Sequence, residues 1–263
     1  MATQKGIITL GGSTDGLTFY KAYGKDLVRK TNGPTKDQIA SGANFQRTRE
    51  NNCEFGGCSK ISKSFRTSLF PLKSLTDGQF GNRVTKVLKF LIAKDVGVPG
   101  ERPVKLSSHR EALADFECNI THKLSKSIPG TFTTHHNPER TLASITIPGG
   151  QIEAIQAPDG ATHFQLIHAL GVVSDFTYDG ESKRYVPEEP ALDTRGNVQY
   201  SDYFSLEGAN VPEYTSTISL PGIAPLPEAV SVLHALGITF FQKIGSVQYP
   251  LKQVNALKIV EVF

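Results

Sequence analysis

Two histidines occupy matched positions in a stretch that occurs twice: His168 in FQLIHALGVVSDF and His234 in VSVLHALGITFFQ. An imidazole pair can move protons near neutral pH or ligate a metal ion. Either use needs a third group to orient each ring and an acid, nucleophile or further ligand within reach. Neither copy brings one at a fixed offset. The two-residue alternation of a strand sets His168 beside Phe164 and Leu166, and His234 beside Val230 and Val232. The repeat is therefore expected to be architectural, two similar strands on related sheets of one sandwich, each Leu-Gly being a bulge or kink.

Other chemical templates fail in turn. His135 and His136 adjoin the turn HNPER and, as strand neighbours, point to opposite faces, which disfavours a shared metal. GGSTDG has the glycine content of a phosphate loop, but it lies between strands and lacks the lysine and helix start that hold an anion. Cys53, Cys58 and Cys118 have no Cys-x-x-Cys spacing and read as free thiols. There is no Walker loop, nucleophile elbow or His-Glu-x-x-His. No catalytic residue, cofactor or metal is expected, so the chain reads as a non-enzyme.

Charge carries more information. Lys60, Lys63 and Arg66 recur at three-residue spacing beside Ile61, Phe65 and Leu69, the pattern of an amphipathic helix with a basic face. Arg83, Lys86 and Lys89 repeat that spacing on a second such helix. Asp175, Asp179, Glu181, Glu188, Glu189 and Asp193 form an acidic stretch without EF-hand spacing, expected as a solvated loop. The net charge of +3 conceals a contrast: residues 1–113 carry 19 Lys+Arg against 9 Asp+Glu, and residues 114–263 carry 9 against 16. Screening over ~8 Å makes a partner feel the half it touches.

The elements that must position these groups follow from period and punctuation. GIITL, LTFYKAY and DLVRK read as a β-meander with Asp-Gly hairpin chemistry. Helices are expected at about 59–70 and 79–94. A further helical stretch before them should end at Gly56-Gly57. DVGVPGERPV reads as a linker, and Ser108 with Glu111 as a capping box. From Phe116 onward the segments FECNITHKL, TFTTHH, TLASITI, QIEAIQA, THFQLIHAL, VVSDFTY, SDYFSL, TSTISL, VSVLHALGITFFQKI, SVQYPL and ALKIVEVF suit strands of a sandwich or barrel. The expected fold is α+β, predominantly β: a basic domain at 1–113, meander plus helices, and an acidic all-β domain at 114–263.

GLTFYKAYGKDLVR, NFQRTRENNCEFG, PDGATHF and YPLKQVNALKIVEV together resemble an uncharacterised family of about this length from Bacteroidota. The resemblance spans most of the chain and implies a bacterial, intracellular, non-membrane protein; it brings no catalytic residue. Opposite charges on the two halves, with strands near both ends, favour a structural protein that self-associates head-to-tail into a tube, filament or phage-tail-like assembly. Its contacts would come from the six basic residues named above and from Asp175, Asp179, Glu181, Glu188 and Glu189, its terminal strands would pair with a neighbour's edge, and its compartment would be the cytoplasm. The alternative is a binding module for protein, carbohydrate or nucleic acid with a basic helical face. Tyr178, Tyr185, Tyr200, Tyr203 and Phe204 are its candidate aromatics, and nucleic acid is the less favoured partner.

Overall fold

The computed structural model describes residues 2–6, 8–30, 33–150, 154–207, 213–222, 225–251 and 254–263. It is 26% helix and 36% strand, the α+β, mostly β composition expected. The chain forms two compact units, Met1–Glu50 and Asn51–Phe263. That division differs from the one expected near residue 113, because the helices of 51–113 share a core with the strands that follow.

In the first unit β1 (Ala2–Thr3), β2 (Gly12–Thr14), β3 (Leu17–Ala22) and β4 (Lys25–Lys30) form an antiparallel sheet in the order β1-β4-β3-β2. Asp15-Gly16 and Tyr23-Gly24 turn the two hairpins, all four residues at positive φ, which matches the twist of the flanking strands. GIITL, expected as a strand, is irregular where it is described, and Ile7 lies outside the described residues. Helix α1 (Lys36–Ser41) starts on a capping box between Thr35 and Gln38. None of this unit's described residues is fully buried.

Helix α2 (Gln46–Ser68) begins there and continues into the second unit, passing through Gly56-Gly57, where the sequence suggested an end. Gly57 serves packing: a Cβ there would lie 2.8 Å from the Tyr185 ring. The tyrosine hydroxyl donates to the Arg102 carbonyl at 2.8 Å. Ser107–Leu113 is a 3-10 segment interrupted at His109, without the expected capping box.

The second unit is built on a seven-stranded antiparallel sheet. Its path is β11 (Gly196–Tyr200), β8 (His163–Ser174), β14 (Val230–Ile244), β16 (Ala256–Val262) and β5 (Phe116–Glu117). The short β12 (Phe204–Ser205) also pairs with β8, and β15 (Val247–Pro250) with β14. Alternation gives the long strands two buried faces. Ile167, Ala169, Val173, Leu233, Ala235 and Ile259 meet Cys58, Ile61 and Phe65 of α2 and Val84, Leu88 and Ile92 of α3 (Phe80–Ile92). The opposite face carries a three-stranded sheet, β13 (Tyr214–Ser219), β7 (Leu142–Ile147) and β6 (Thr133–His136). Ile145 and Ile147 pack on Leu166, Leu236, Ile238 and Phe240, while Ala143 and Ile218 pack on Leu170, Val172, Val230 and Val232. A hairpin of β9 (Phe176–Asp179) and β10 (Arg184–Pro187) and a short helix α4 (Leu124–Ser127) complete the unit, so residues 114–263 are not wholly β. QIEAIQA forms no strand over 154–157, and its residues 151–153 lie outside the described set.

The two His-Ala-Leu-Gly steps pair with each other, Ala169 opposite Ala235, His168 opposite Leu236 and Leu170 opposite His234. They lie on adjacent strands of one sheet, related by a local two-fold about the alanine pair, rather than on two sheets. Neither glycine is the expected bulge. A Cβ on Gly171 would fall 2.5 Å from Ser68 Oγ, and one on Gly237 would fall 3.2 Å from Leu75 Cδ1, so both make room for the helical layer. The irregularity comes a step earlier, where the β14–β16 register shifts between His234 and Ala235.

Candidate functional site

Packing fixes which face of α2 is free. With Ile61, Phe65 and Leu69 turned to the core, Lys63 and Arg66 are left to solvent. Pro71 then ends the helical run, and a 3-10 turn over Phe70–Leu75 brings Lys73 round to the same side. The chain next enters α3 through Thr76–Gln79. Between these segments lies a cavity of about 350 Å³ lined by Lys63, Arg66, Phe70, Lys73, Asp77 and Gly81. Arg66 also borders a second hollow of about 160 Å³ with Ser59, Ser62 and Asn82. Lys63 borders a third of about 510 Å³ with Lys60, Tyr185 and Asp193. The hollows adjoin through shared cations, making one basic cleft along α2.

The cleft holds two carboxylates among the described residues, Asp77 and Asp193, and neither pairs with its cations; Asp193 accepts from Ser64 Oγ at 2.6 Å and Ser174 N at 3.0 Å. Among the described residues Lys60, Lys63, Arg66 and Lys73 form no salt bridge, and Lys60 Nζ donates only to the Tyr185 carbonyl at 2.6 Å. Arg66 Nε makes a long bond to the Ser62 carbonyl at 3.3 Å. Its side chain lies across the first turn of α3, where Gly81 has no Cβ to obstruct it; one would sit 3.0 Å from Nε. A cation at a helix N-terminus meets the positive end of the dipole, an arrangement an anion would relieve.

Asp77 does not supply that anion. Its Oδ1 accepts from Gln79 N at 2.8 Å, and its Oδ2 from Arg83 Nη1 at 2.5 Å and Ile120 N at 3.0 Å. Burial raises its pKa, but these N–H donors outweigh burial and hold the carboxyl below its usual value. Phe80 N is taken by the Asp77 carbonyl. The N–H groups of Gly81 and Asn82, both lining the cleft, have no acceptor within their own helix.

The structure separates the residues expected at one interface. Lys60, Lys63 and Arg66 line the cleft. Lys86 is exposed on α3. Arg83 is spent on Asp77 and the Glu117 carbonyl, and Lys89 on Glu54 at 2.5 Å. Of the acids, Asp175 is 1% exposed and accepts from Ser107 N and Ser107 Oγ, so it cannot meet a partner. Burial raises its pKa, partly offset by those Ser107 bonds. Asp179 holds a turn through Glu181 N and Ser182 N, while Glu181 and Glu188 are exposed and Glu189 is half-buried. Tyr185 is buried and Phe204 stacks on Phe164 at 5.2 Å; Tyr200 and Tyr203 remain exposed.

Lys73, Phe70 and Gly81 were not singled out from sequence. The one signal for them is FPLKSLTDGQFG itself, a Pro- and Gly-punctuated break between helices with a lysine inside it. Glu54 was missed too. It accepts from Lys89, Arg102 Nε at 2.7 Å, Arg102 Nη2 at 3.0 Å and Gly100 N at 2.9 Å, and so pins the segment expected as a linker. Burial works against its charge, yet those donors prevail and bring its pKa down to about 2. Among the described residues no cluster of three or more His, Cys, Asp or Glu is placed to hold a metal ion, and no helix is long and apolar enough to cross a membrane. Comparison with family models, with curated proteins and with solved structures gives no match.

Proposed function

We propose that the protein is a non-enzymatic binding module whose basic cleft takes a phosphate-bearing ligand. The observation that carries this reading is the group Lys63, Arg66 and Lys73 around one cavity whose lining carboxylate, Asp77, is engaged by Arg83 and backbone N–H groups instead of by these three cations. The open N–H groups of α3's first turn suit a multiply charged oxyanion. Leu69 and Phe70 add an apolar wall, and the volume lies at the small end of ligand pockets, fitting a mononucleotide-sized molecule with a flat apolar part. The lining supports binding more than catalysis, because its carboxylate, Asp77, has both oxygens engaged. Calorimetric titration with adenosine monophosphate, inorganic phosphate and adenosine at low salt tests the reading. The monophosphate should bind, phosphate should compete with it, and adenosine should bind far more weakly. No phosphate binding at millimolar ligand, or binding unchanged by Lys63→Ala with Arg66→Ala, would overturn it.

Self-association is a second reading. It is favoured by the first unit, where Ile8, Leu10 and Tyr23 are exposed and none of the described residues is fully buried. Such a sheet gains stability from a partner. The charge pairing expected for head-to-tail assembly is weakened by the internal use of Arg83, Lys89 and Asp175. The C-terminal strand β16 lies inside its own sheet between β14 and β5, and is not a free edge along that pairing. Light scattering at physiological and high salt decides: a monomer in both removes this reading and leaves the cleft untouched.

A further inference from the structure

The matched histidines meet inside the molecule. His168 Nε2 lies 2.8 Å from His234 Nε2, and both rings are fully buried between the two sheets. Ser216 Oγ of β13 lies 2.9 Å from His168 Nδ1. At the other end Glu261, opposite His234 on β16, approaches His234 Nδ1 at 3.5 Å. The register shift beside His234 leaves Val260 and Glu261 both turned toward the small sheet. Glu261 also faces β6, where His136 Nδ1 is 3.5 Å away and Thr134 bonds its carboxylate. The remaining neighbours are Tyr214, whose side chain hydrogen-bonds Ser216 on β13 and donates to it when Ser216 donates to His168, and Phe263, whose ring stacks on His136 at 4.1 Å.

The donors can run in one direction. Ser216 donates to His168 Nδ1, His168 Nε2–H to His234 Nε2, and His234 Nδ1–H to the Glu261 carboxylate. Every ring nitrogen is then satisfied with both rings neutral. One added proton can be held, since the Nε2 contact still has one donor and one acceptor. Two imidazolium rings cannot be, because two N–H groups would meet head-on across 2.8 Å in an apolar layer. The chain joins three strands of the seven-stranded sheet to both outer strands of the three-stranded one.

We propose that the Ser216–His168–His234–Glu261 chain is a proton-operated latch that clasps the small sheet to the large one and releases it when both imidazoles are charged. Burial, and secondarily the neighbouring His234, take the His168 pKa down to about 3 while the latch is closed. Hydrogen bonding from His234 holds the Glu261 carboxyl below its usual value despite burial. In the released state an imidazole returns to its ordinary value near ~6.5, so acid draws the equilibrium toward release by about thirty-fold at pH 5 for one ring.

Amide hydrogen exchange, corrected for the intrinsic pH dependence, tests this at pH 7.5 and 5. Protection of the β7–β13 pairs should fall about thirty-fold, while that of the β3–β4 pairs in the first unit, which holds neither histidine, stays nearly constant. Equal losses in both places, or no loss in β7–β13, would overturn the latch. In the His168→Gln/His234→Gln double variant the acid loss should disappear, and its persistence would overturn the assignment to these rings. Should that variant not fold, ring-nitrogen NMR of the wild type decides: the pair must change protonation over the same pH range in which β7–β13 protection is lost.

Discussion

Two groups of cations border α2, and their surroundings differ in one respect. Lys89 and Arg102 converge on Glu54, a carboxylate 2% exposed, which also accepts from Gly100 N. Lys63, Arg66 and Lys73 converge on a cavity, and the carboxylates bordering the cleft among the described residues, Asp77 and Asp193, are held by other donors. The first group is closed by the protein and holds a loop to the helices. The second is left open on a surface that packing keeps concave. The same residue types are structural in one place and available in the other, and the deciding variable is the position of one acid.

Breaking the closed group should have the largest effect. Glu54→Ala leaves two cations without their counter-ion and should cost about 3–5 kcal/mol in urea denaturation. A loss below ~1 kcal/mol would remove the contrast with the cleft. Acid offers a second separation. Glu54 has a depressed pKa, so its contribution is complete above ~4.5 and is lost as pH falls through about 2. His168 has a depressed pKa as a histidine, so its contribution is complete above ~6.5 and declines as pH falls toward about 3. Between pH 6.5 and 5 stability should therefore fall, by up to ~1.4 kcal/mol per pH unit for that ring, while the Glu54 centre stays intact. Chemical denaturation at stepped pH measures it; a flat profile over that interval would contradict the assignment.

Gly57→Ala tests the helix surface between the two groups. Its Cβ would press on the Tyr185 ring, with an expected cost of about 1–3 kcal/mol. The smallest stability effect belongs to the open group. Lys63→Ala and Arg66→Ala should each change stability by less than about 0.5 kcal/mol, yet lower affinity for a phosphate ligand about tenfold. A large destabilisation from either would mean that these cations, like Lys89, serve the fold.

Local signals made part of this arrangement legible. The apolar period of α3, the long runs of β8 and β14, and the Asp15-Gly16 turn follow from residue types within a few positions. Lys60, Lys63 and Arg66 were visible as a row for the same reason. What stayed hidden depends on partners distant in sequence. Gly56-Gly57 reads as a helix end until Tyr185 is known to need the space. Glu54 gains meaning from residues 35 and 48 positions away. The two His-Ala-Leu-Gly steps read as repeats, but that they pair with each other is a fact of sheet topology. Asp175 looked solvated because nothing local announced Ser107 above it.

The most direct measurement is a phosphate titration followed by backbone amide NMR. Selective shifts at Gly81 and Asn82, joined by Lys63, Arg66 and Lys73 and suppressed by salt, are expected if the cleft is an open anion site. Unperturbed Gly81 and Asn82 at millimolar phosphate, or shifts gathered elsewhere on the molecule, would contradict it.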